Sequence, residues 1–324
     1  MALIYGSPAA ESDLLSRAPE SVEKIEDVEI IHDQLKEKLE KTKKEFFDKV
    51  PEQIAKEEKL LEKIHDHETA THQKYEDKIK VLQDKKSQGG FSIISTPVKV
   101  SFLKNISKRR EIKKIKKIEQ TQKRHLTEWK SHPIRIFNRE KHVQINEYNE
   151  FSALKKSNVL KGAKGENQVL DKLSELSDDY HILCGIKSEL PHYVRYNGKR
   201  NLRSAQIDFI VVSKKGVILI EVKNWSNKFY SETKKISPHE QADRAARVLW
   251  ITINSHWGWL SGRSPGVTSV VLSIQGNIRY DPRYKYVMVS DLDQINYFIQ
   301  NRKEQLSGKD VTKLVNMLKD HVTK

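Results

Sequence analysis

Residues 205–225 read AQIDFIVVSKKGVILIEVKNW, and the reading of this stretch decides the fold. Residues 206–212 and 217–222 are rich in β-branched and aromatic side chains, which suit a pleated, half-buried surface. Ser213-Lys214-Lys215-Gly216 between them is polar and ends in glycine, as expected of a four-residue hairpin loop. If Val212 and Val217 close that loop, paired positions keep a constant sum along the antiparallel ladder. Asp208 then falls opposite Glu221, with Cβ atoms roughly 4.5–5.5 Å apart. Side chains alternate faces along a strand, so Glu221 and Lys223 point the same way. Two carboxylates and an ammonium thus converge on one patch of sheet. Adjacent carboxylates repel and desolvate one another, and a divalent cation or a shared proton relieves them. An oxygen-only site with few protein ligands suits Mg²⁺ or Mn²⁺ better than zinc. The plain alternative is a solvated sheet face, because Glu-x-Lys is a common tripeptide.

Outside that stretch, length and composition set the frame. At 324 residues the chain exceeds the ~250–300 at which single cores stop growing, so two domains are expected. With 37% hydrophobic and 32% charged residues it is too polar for one globule, but suited to a globular domain joined to long solvated helices. The single cysteine, Cys184, excludes an internal disulfide, and its apolar setting HILCGI predicts a buried thiol rather than a nucleophile. There is no run of ~18 apolar residues to span a membrane. MALIYG at the N-terminus is too short for a signal-peptide core, so the chain is expected to be soluble and cytoplasmic. The formal net charge of +15 favours a polyanionic partner, nucleic acid first, with an anionic membrane surface or an acidic protein as alternatives.

The N-terminal half is helical and charged. Residues 1–18 show no periodicity and read as a flexible arm. Ile25, Val28, Ile31, Leu35 and Leu39 recur at helical spacing, and a second helix is expected from Pro51 to about residue 88. Its seam of Ile54, Leu61, Ile64, Tyr75, Ile79 and Leu82 is broken at Glu68 and Thr71. A helical hairpin or coiled coil is therefore expected over 19–90, able to pair with a second copy or a protein partner. Alternatively the two helices run on through Pro51 as one kinked helix. After Gly89-Gly90, residues 91–103 read as a short strand or buried connector within a basic helical connector, 91–158. Residues 104–124 carry ten Lys or Arg against two Glu. Ile106, Ile112, Ile115 and Ile118 mark a packed side, which leaves Lys108, Arg109, Arg110, Lys113, Lys116 and Lys117 to meet phosphates without reading sequence. A merely solvated face is the plain alternative.

From residue 159 to 324 the pattern is that of an α/β domain. In KGAKGENQVLDKLSEL (161–176), Glu166 precedes Leu170 and Leu173 by four and seven residues and should face the sheet. A carboxylate placed in a first helical turn by the dipole is the competing explanation. A strand over 180–186 is followed by a basic loop, 195–203, whose Arg200 and Arg203 can touch a phosphate. Further on, Ser237, Pro238 and Glu240 form a capping-box pattern. Gln241, Ala245 and Val248 share a face of that helix, so Gln241 can reach the sheet edge of Glu221 and Lys223. Trp250, Trp257 and Trp259 are either core or a platform for bases. Strands at 267–274 and 284–289, a short helix at 295–300 and an amphipathic helix at 310–322 complete the scaffold.

Gly162-x-x-Gly165-Glu166, Gln206-x-Asp208 before an apolar strand, Gly216, Ile220-Glu221-x-Lys223-Asn224-Trp225, and a Pro-initiated helix bearing Gln241 occur in that order. Together they resemble the nuclease-related domain (NERD) family of the PD-(D/E)xK nuclease superfamily, over residues 160–300. The resemblance implies a restriction-endonuclease-like mixed sheet flanked by helices and a Mg²⁺- or Mn²⁺-dependent phosphodiesterase. It further implies an endonuclease acting on DNA, in DNA processing or in defence against foreign DNA. In that reading Asp208 and Glu221 ligate the metal with the Val222 carbonyl, and Glu166 binds a second metal or a metal-bound water. Lys223 holds or deprotonates the attacking water, and Gln241 orients it or the phosphate. A non-catalytic nucleic-acid-binding or partner-docking module with the same fold, and an RNA nuclease, are the alternatives. Residues 1–158 have no counterpart in the resemblance.

Overall fold

The computed structural model describes residues 1–87, 95–225, 237–257, 265–276 and 278–322, and the chain divides into two compact units. The first comprises Met1–His32 and Phe151–Lys324, and the second Asp33–Glu150. Along the chain the elements are β1 (Leu3–Tyr5), α1 (Ala9–Arg17), α2 (Ile25–Ser87), α3 (Ser95–Phe102), α4 (Lys108–Ser131), α5 (Pro133–Glu140) and α6 (His142–Lys156). There follow α7 (Asn158–Ser174), β2 (His181–Tyr196), β3 (Lys199–Ser213), β4 (Gly216–Lys223) and α8 (Pro238–Trp257). The chain continues through β5 (Val267–Ser273), β6 (Val287–Asp291), α9 (Ile295–Gln300) and α10 (Gly308–Lys319).

The first unit is built on one mixed sheet of six strands in the order β1-β2-β3-β4-β5-β6. β2, β3 and β4 form an antiparallel meander, while β1 joins β2, and β5 and β6 extend β4, in parallel. Val212 pairs with Val217 and Phe209 with Ile220, the register predicted from the loop. Ser213 also pairs with Gly216, so the turn is two residues, Lys214-Lys215, rather than four. Gly216 has φ +114°, which the turn obtains cheaply only from glycine.

β4 is buried along its length because strands flank it and helices cover both faces, hence its unbroken apolar run. Phe209, Val211, Ile218 and Ile220 pack beneath Val169 and Leu173 of α7 and Ile295 and Ile299 of α9. Ile210, Val212, Val217 and Leu219 pack on the other side beneath Ala245 and Leu249 of α8 and Leu314 and Leu318 of α10. The result is the expected α/β sheet flanked by helices. One irregularity matters: Cys184 and Phe209 pair in one core layer, whereas the pair Ile186 and Ile207 lies in the other. Strict alternation would keep both pairs together. The switch falls at Gly185, with φ +60°, and at Asp208.

Residues 1–18 are not an arm. Leu3–Tyr5 pairs with β2, the Leu3 N–H donates to the Tyr180 carbonyl at 2.9 Å, and α1 lies against α7 with Ala9 and Leu14 buried. A three-residue strand and a nine-residue helix are too short to show a period, which is why the sequence suggested mobility. The segment read as a basic loop, 195–203, is the tip of a hairpin instead. β2 runs to Tyr196, β3 starts at Lys199, and Asn197-Gly198 turns between them with φ +48° and +77°.

In the second unit α2 continues through Pro51 as a single helix, as the continuous alternative required. Its hairpin partner is α4 and not its own second half. Lys108 pairs with Glu76 at 3.1 Å and Lys130 with Glu58 at 2.6 Å, so the two helices run antiparallel. Tyr75 and Ile115 are buried, and Phe46 stacks with Trp129 and meets Phe137 edge-on. Residues 95–102 are helix rather than strand, with Val98 and Phe102 exposed, and a wider helical turn, Leu103–Ser107, leads into α4. The remainder of the predicted 91–103 element, residues 91–94, lies outside the described residues. No helix among the described residues is long and apolar enough to cross a membrane.

Candidate active site

The site forms where the β3–β4 ladder ends. The last backbone pair is Phe209–Ile220; one residue on, the Asp208 carboxylate replaces the ladder, its Oδ2 accepting the Val222 N–H at 2.8 Å. Glu221 and Lys223 occupy the end of β4, opposite Val271 and Ser273 of β5. Ser157 caps α7, its Oγ accepting the Leu160 N–H at 3.1 Å. The helix therefore begins at Asn158, and Glu166 lies more than two turns inside it. The helix dipole at a first turn does not explain Glu166, whereas the buried neighbours Ala163, Val169 and Leu173 on its face do. A Cβ on Gly165 would come within 2.8 Å of Ile274 Cδ1 and 3.0 Å of Asn224 Cβ, so any side chain there would push Ile274 and Asn224 aside where α7 meets the strand ends. Gln241 is delivered by α8, whose first turn is capped by Ser237 Oγ accepting the Glu240 N–H at 3.1 Å.

Glu166, Asp208, Glu221, Val222, Lys223 and Gln241 all line one cavity of about 610 Å³. A second cavity, of about 490 Å³ and lined by Ser290, Tyr297, Asn301 and Arg302, lies beside α9. It has one carboxylate, Asp291, and so offers no paired-acid chemistry.

Charge is crowded at the first cavity. Lys223 Nζ donates to Glu221 Oε1 at 2.6 Å, with Glu221 only 1% exposed and its Oε2 buried without a hydrogen-bond partner among the described residues. Burial, reinforced by Asp208, pushes the Glu221 carboxyl up to about 8 against the pull of Lys223. Burial and then Asp208 push Glu166 up to about 8 as well, opposed by a hydrogen bond from the Ala10 N–H. Asp208 is also raised by burial, in spite of Lys223 and the Val222 amide. Burial disfavours the Lys223 ammonium, yet Glu221 and Asp208 outweigh it and hold Lys223 above its ordinary value. Lys223 is thus a cation at neutral pH. Its Nζ also stands 5.5 Å from the Trp225 ring centre.

No group of three or more His, Cys, Asp or Glu side chains among the described residues is arranged to hold a metal ion. The oxygens available to an ion would be those of Asp208 and Glu221 with the adjoining carbonyl of Val222. Such a set fits Mg²⁺, which keeps several waters and takes one or two protein carboxylates. The unpartnered Glu221 Oε2 is the atom such an ion would satisfy. Glu166 is committed through Oε2 to Ala10 and is not part of a three-residue ligand group.

Asn224 stands in the sequence motif without a role, and Lys161, Gln275 and the Ala10 amide are not singled out there. Asn224 Nδ2 donates to the Lys161 carbonyl at 3.1 Å and Gln275 Nε2 to Asn224 Oδ1 at 3.0 Å, tying α7 to the strand ends. The Ala10 amide carries no signal in sequence. The predicted phosphate-binding residues do not line the cavity. Arg109, Arg110, Lys113 and Lys117 are exposed in the second unit and form no ion pair among the described residues. Lys108 and Lys116 pair with Glu76 and Glu68. Arg203 pairs with Glu189 at 2.8 Å, and the Arg200 side chain lies outside the described residues. Trp257 is buried beneath Lys313, Trp250 lies under Arg247, and Trp259 is outside the described residues. Cys184 is a buried core thiol pushed up to about 12.

No characterised protein and no solved structure matches the chain. The family model described as nuclease-related domain does match, over residues 161–274, from the first turn of α7 to just past β5. That span contains every side chain named above as lining the candidate centre on α7, β3, β4 and α8. Residues 161–274 are therefore similar to the nuclease-related (NERD) domain, and they are set in a mixed sheet whose first strand and first helix lie far upstream.

Proposed function

We propose that the first unit is a divalent-metal-dependent nuclease that hydrolyses phosphodiester bonds, acting as an endonuclease on DNA. The observation that carries this reading is the convergence of Glu166, Asp208, Glu221, Lys223 and Gln241 on one cavity, with a buried carboxylate oxygen left unpartnered. Clustered buried charges are costly to keep without a ligand or a reaction to serve. Asp208, Glu221 and the Val222 carbonyl would hold Mg²⁺ or Mn²⁺, which when bound supplies Lewis acidity at a phosphoryl oxygen and acidifies a water. Lys223, held as an ammonium, donates to the attacking water or to the phosphate and balances its charge. A lysine general base needs a lowered pKa, so the proton of that water goes to Glu166, whose carboxyl lies near neutrality. The Gln241 amide orients the water or the scissile phosphate. Arg109, Arg110, Lys113 and Lys117 on α4 bind phosphates without reading sequence.

The test is cleavage of supercoiled, linear and single-stranded DNA and of RNA, each with Mg²⁺, Mn²⁺ or EDTA. Nicking of the supercoiled circle requires an internal cut. Activity should vanish in EDTA and in Glu221→Ala and Lys223→Ala, while both variants still fold and bind nucleic acid. Undiminished cleavage in both variants would place the chemistry elsewhere. Binding without cleavage in every lane would make the fold a docking module, and cleavage confined to RNA would make it a ribonuclease.

A further inference from the structure

Glu166 of the nuclease-related segment is held from outside that segment. Its Oε2 accepts the backbone N–H of Ala10 at 2.9 Å, across 156 residues of chain. Glu166 also stands between two spaces. The 610 Å³ cavity holds Asp208 and Glu221, and a further cavity of about 530 Å³, lined by Ala10, Ser12, Arg17, Lys187 and Gln206, opens on its other side. A flexible carboxyl between two open spaces works in catalysis only if something fixes it to one geometry. Ala10 is the second residue of α1, so its N–H has no acceptor within the helix and is free to donate outward. The positive end of the helix dipole adds to the attraction for a carboxylate. α1 is itself anchored: it packs against α7, and Ala9 and Leu14 are buried.

We propose that Ala10 is a positioning residue of the nuclease centre, its backbone amide fixing the Glu166 carboxyl, so that the N-terminal segment is a functional part of the domain. This rests on the nuclease reading above. Ala10→Pro deletes the N–H at a position where no intrahelical bond is lost. Ala10→Ser keeps the donor, and Ala9→Pro places a proline in the same turn while leaving the Ala10 amide intact. In the full-length protein with Mg²⁺, Ala10→Pro should lower kcat for supercoiled DNA at least about tenfold with KM within about twofold, an interaction made mainly in the transition state. Ala10→Ser and Ala9→Pro should stay within about twofold of the parent. Thermal unfolding in EDTA, measured for Ala10→Pro in the parent and in a Glu166→Ala background, reads the contact without catalysis. The proline should lower the midpoint less where Glu166 is already gone. Equal losses in both backgrounds, or equal loss of kcat in Ala9→Pro and Ala10→Pro, would overturn the proposal. If the parent cleaves nothing, the nuclease reading fails on its own, and the unfolding cycle still decides whether Ala10 holds Glu166.

Discussion

Raising the pH of the protein in EDTA from 5 to 8 should weaken the first unit, and the reason lies in two carboxyls. Glu166 and Glu221 are pushed from 4.5 to about 8 in the folded state. Between those values the native protein keeps protons that the unfolded chain has released, so stability falls as pH rises. The favourable contribution is complete below pH 4.5, disappears as pH passes about 8, and is flat above. Lys223 adds nothing in this window, because its value is raised from 10.5. One isolated carboxyl shifted this far is worth about 5 kcal/mol. Both acids are raised in part by the same neighbour, Asp208, so the two effects do not simply add, and a fall of about 3–5 kcal/mol is expected for the pair. In a unit of roughly 200 residues each kcal/mol moves the midpoint by about 2–4 °C, which gives a drop on the order of 10 °C.

The assay is thermal unfolding at fixed ionic strength at pH 5, 6, 7 and 8, for the parent and for Glu166→Gln/Glu221→Gln. The double variant should lose most of the slope. Saturating Mg²⁺ should stabilise the parent more at pH 8 than at pH 5, because protons compete with the ion for the same oxygens. A midpoint that is level or rises between pH 5 and 8, or that falls equally in the double variant, would refute the assignment of the raised pKa values to these acids.

Two further outcomes follow from packing and charge. Gly165→Ala puts a methyl 2.8 Å from Ile274 Cδ1 and 3.0 Å from Asn224 Cβ, and the overpacking, about 1–3 kcal/mol, should exceed the ~1 kcal/mol gained in helix propensity. The variant should unfold earlier and cleave more slowly, because Asn224 is displaced from Lys161 and Gln275; raised stability with full activity would contradict this. Neutralising Arg109, Arg110, Lys113 and Lys117 to Gln should weaken binding to all DNA sequences alike and flatten log Kd against log salt by about 3–4. Fluorescence anisotropy across a salt series measures that slope, and an unchanged slope would remove this face from the binding surface.

The central hairpin was legible because two local signals agree, a polar glycine-ending turn and β-branched runs on either side. Its loop was read one pair too long, since Ser213 can pair or turn with equal local plausibility. The inward face of Glu166 was legible from its spacing to Leu170 and Leu173. Its depth in α7 was not, because the helix starts at the Ser157 cap, upstream of the motif. Asn197-Gly198 is a strong hairpin signal that the surrounding arginines and lysines disguised as a basic loop. The pairing of α2 with α4 is a different matter. Which two amphipathic helices meet is settled by tertiary contacts such as Lys130–Glu58, and a broken seam within α2 says nothing of a partner beyond residue 100. The Ala10–Glu166 contact is the extreme case, since a backbone amide has no residue code.

The charge of the centre narrows what it can bind. Glu166, Asp208 and Glu221 fully ionised, against the Lys223 ammonium bonded to Glu221, leave two negative charges in excess among these four groups, while Lys161 also lines the cavity. Water cannot screen them there, so the excess must be met locally, by two protons or by one divalent cation. Burial first and Asp208 second favour protons on Glu166 and Glu221, which raises both carboxyls to about 8 when no cation is bound. A divalent ion restores neutrality with every acid ionised, and an ionised Glu166 is then able to accept a proton. Lys223 belongs to this balance as a fixed cation: if it were neutral the excess among the four groups would be three. On the nuclease reading, the lysine that could deprotonate a water serves instead as the cation that balances the other three groups around a bound metal.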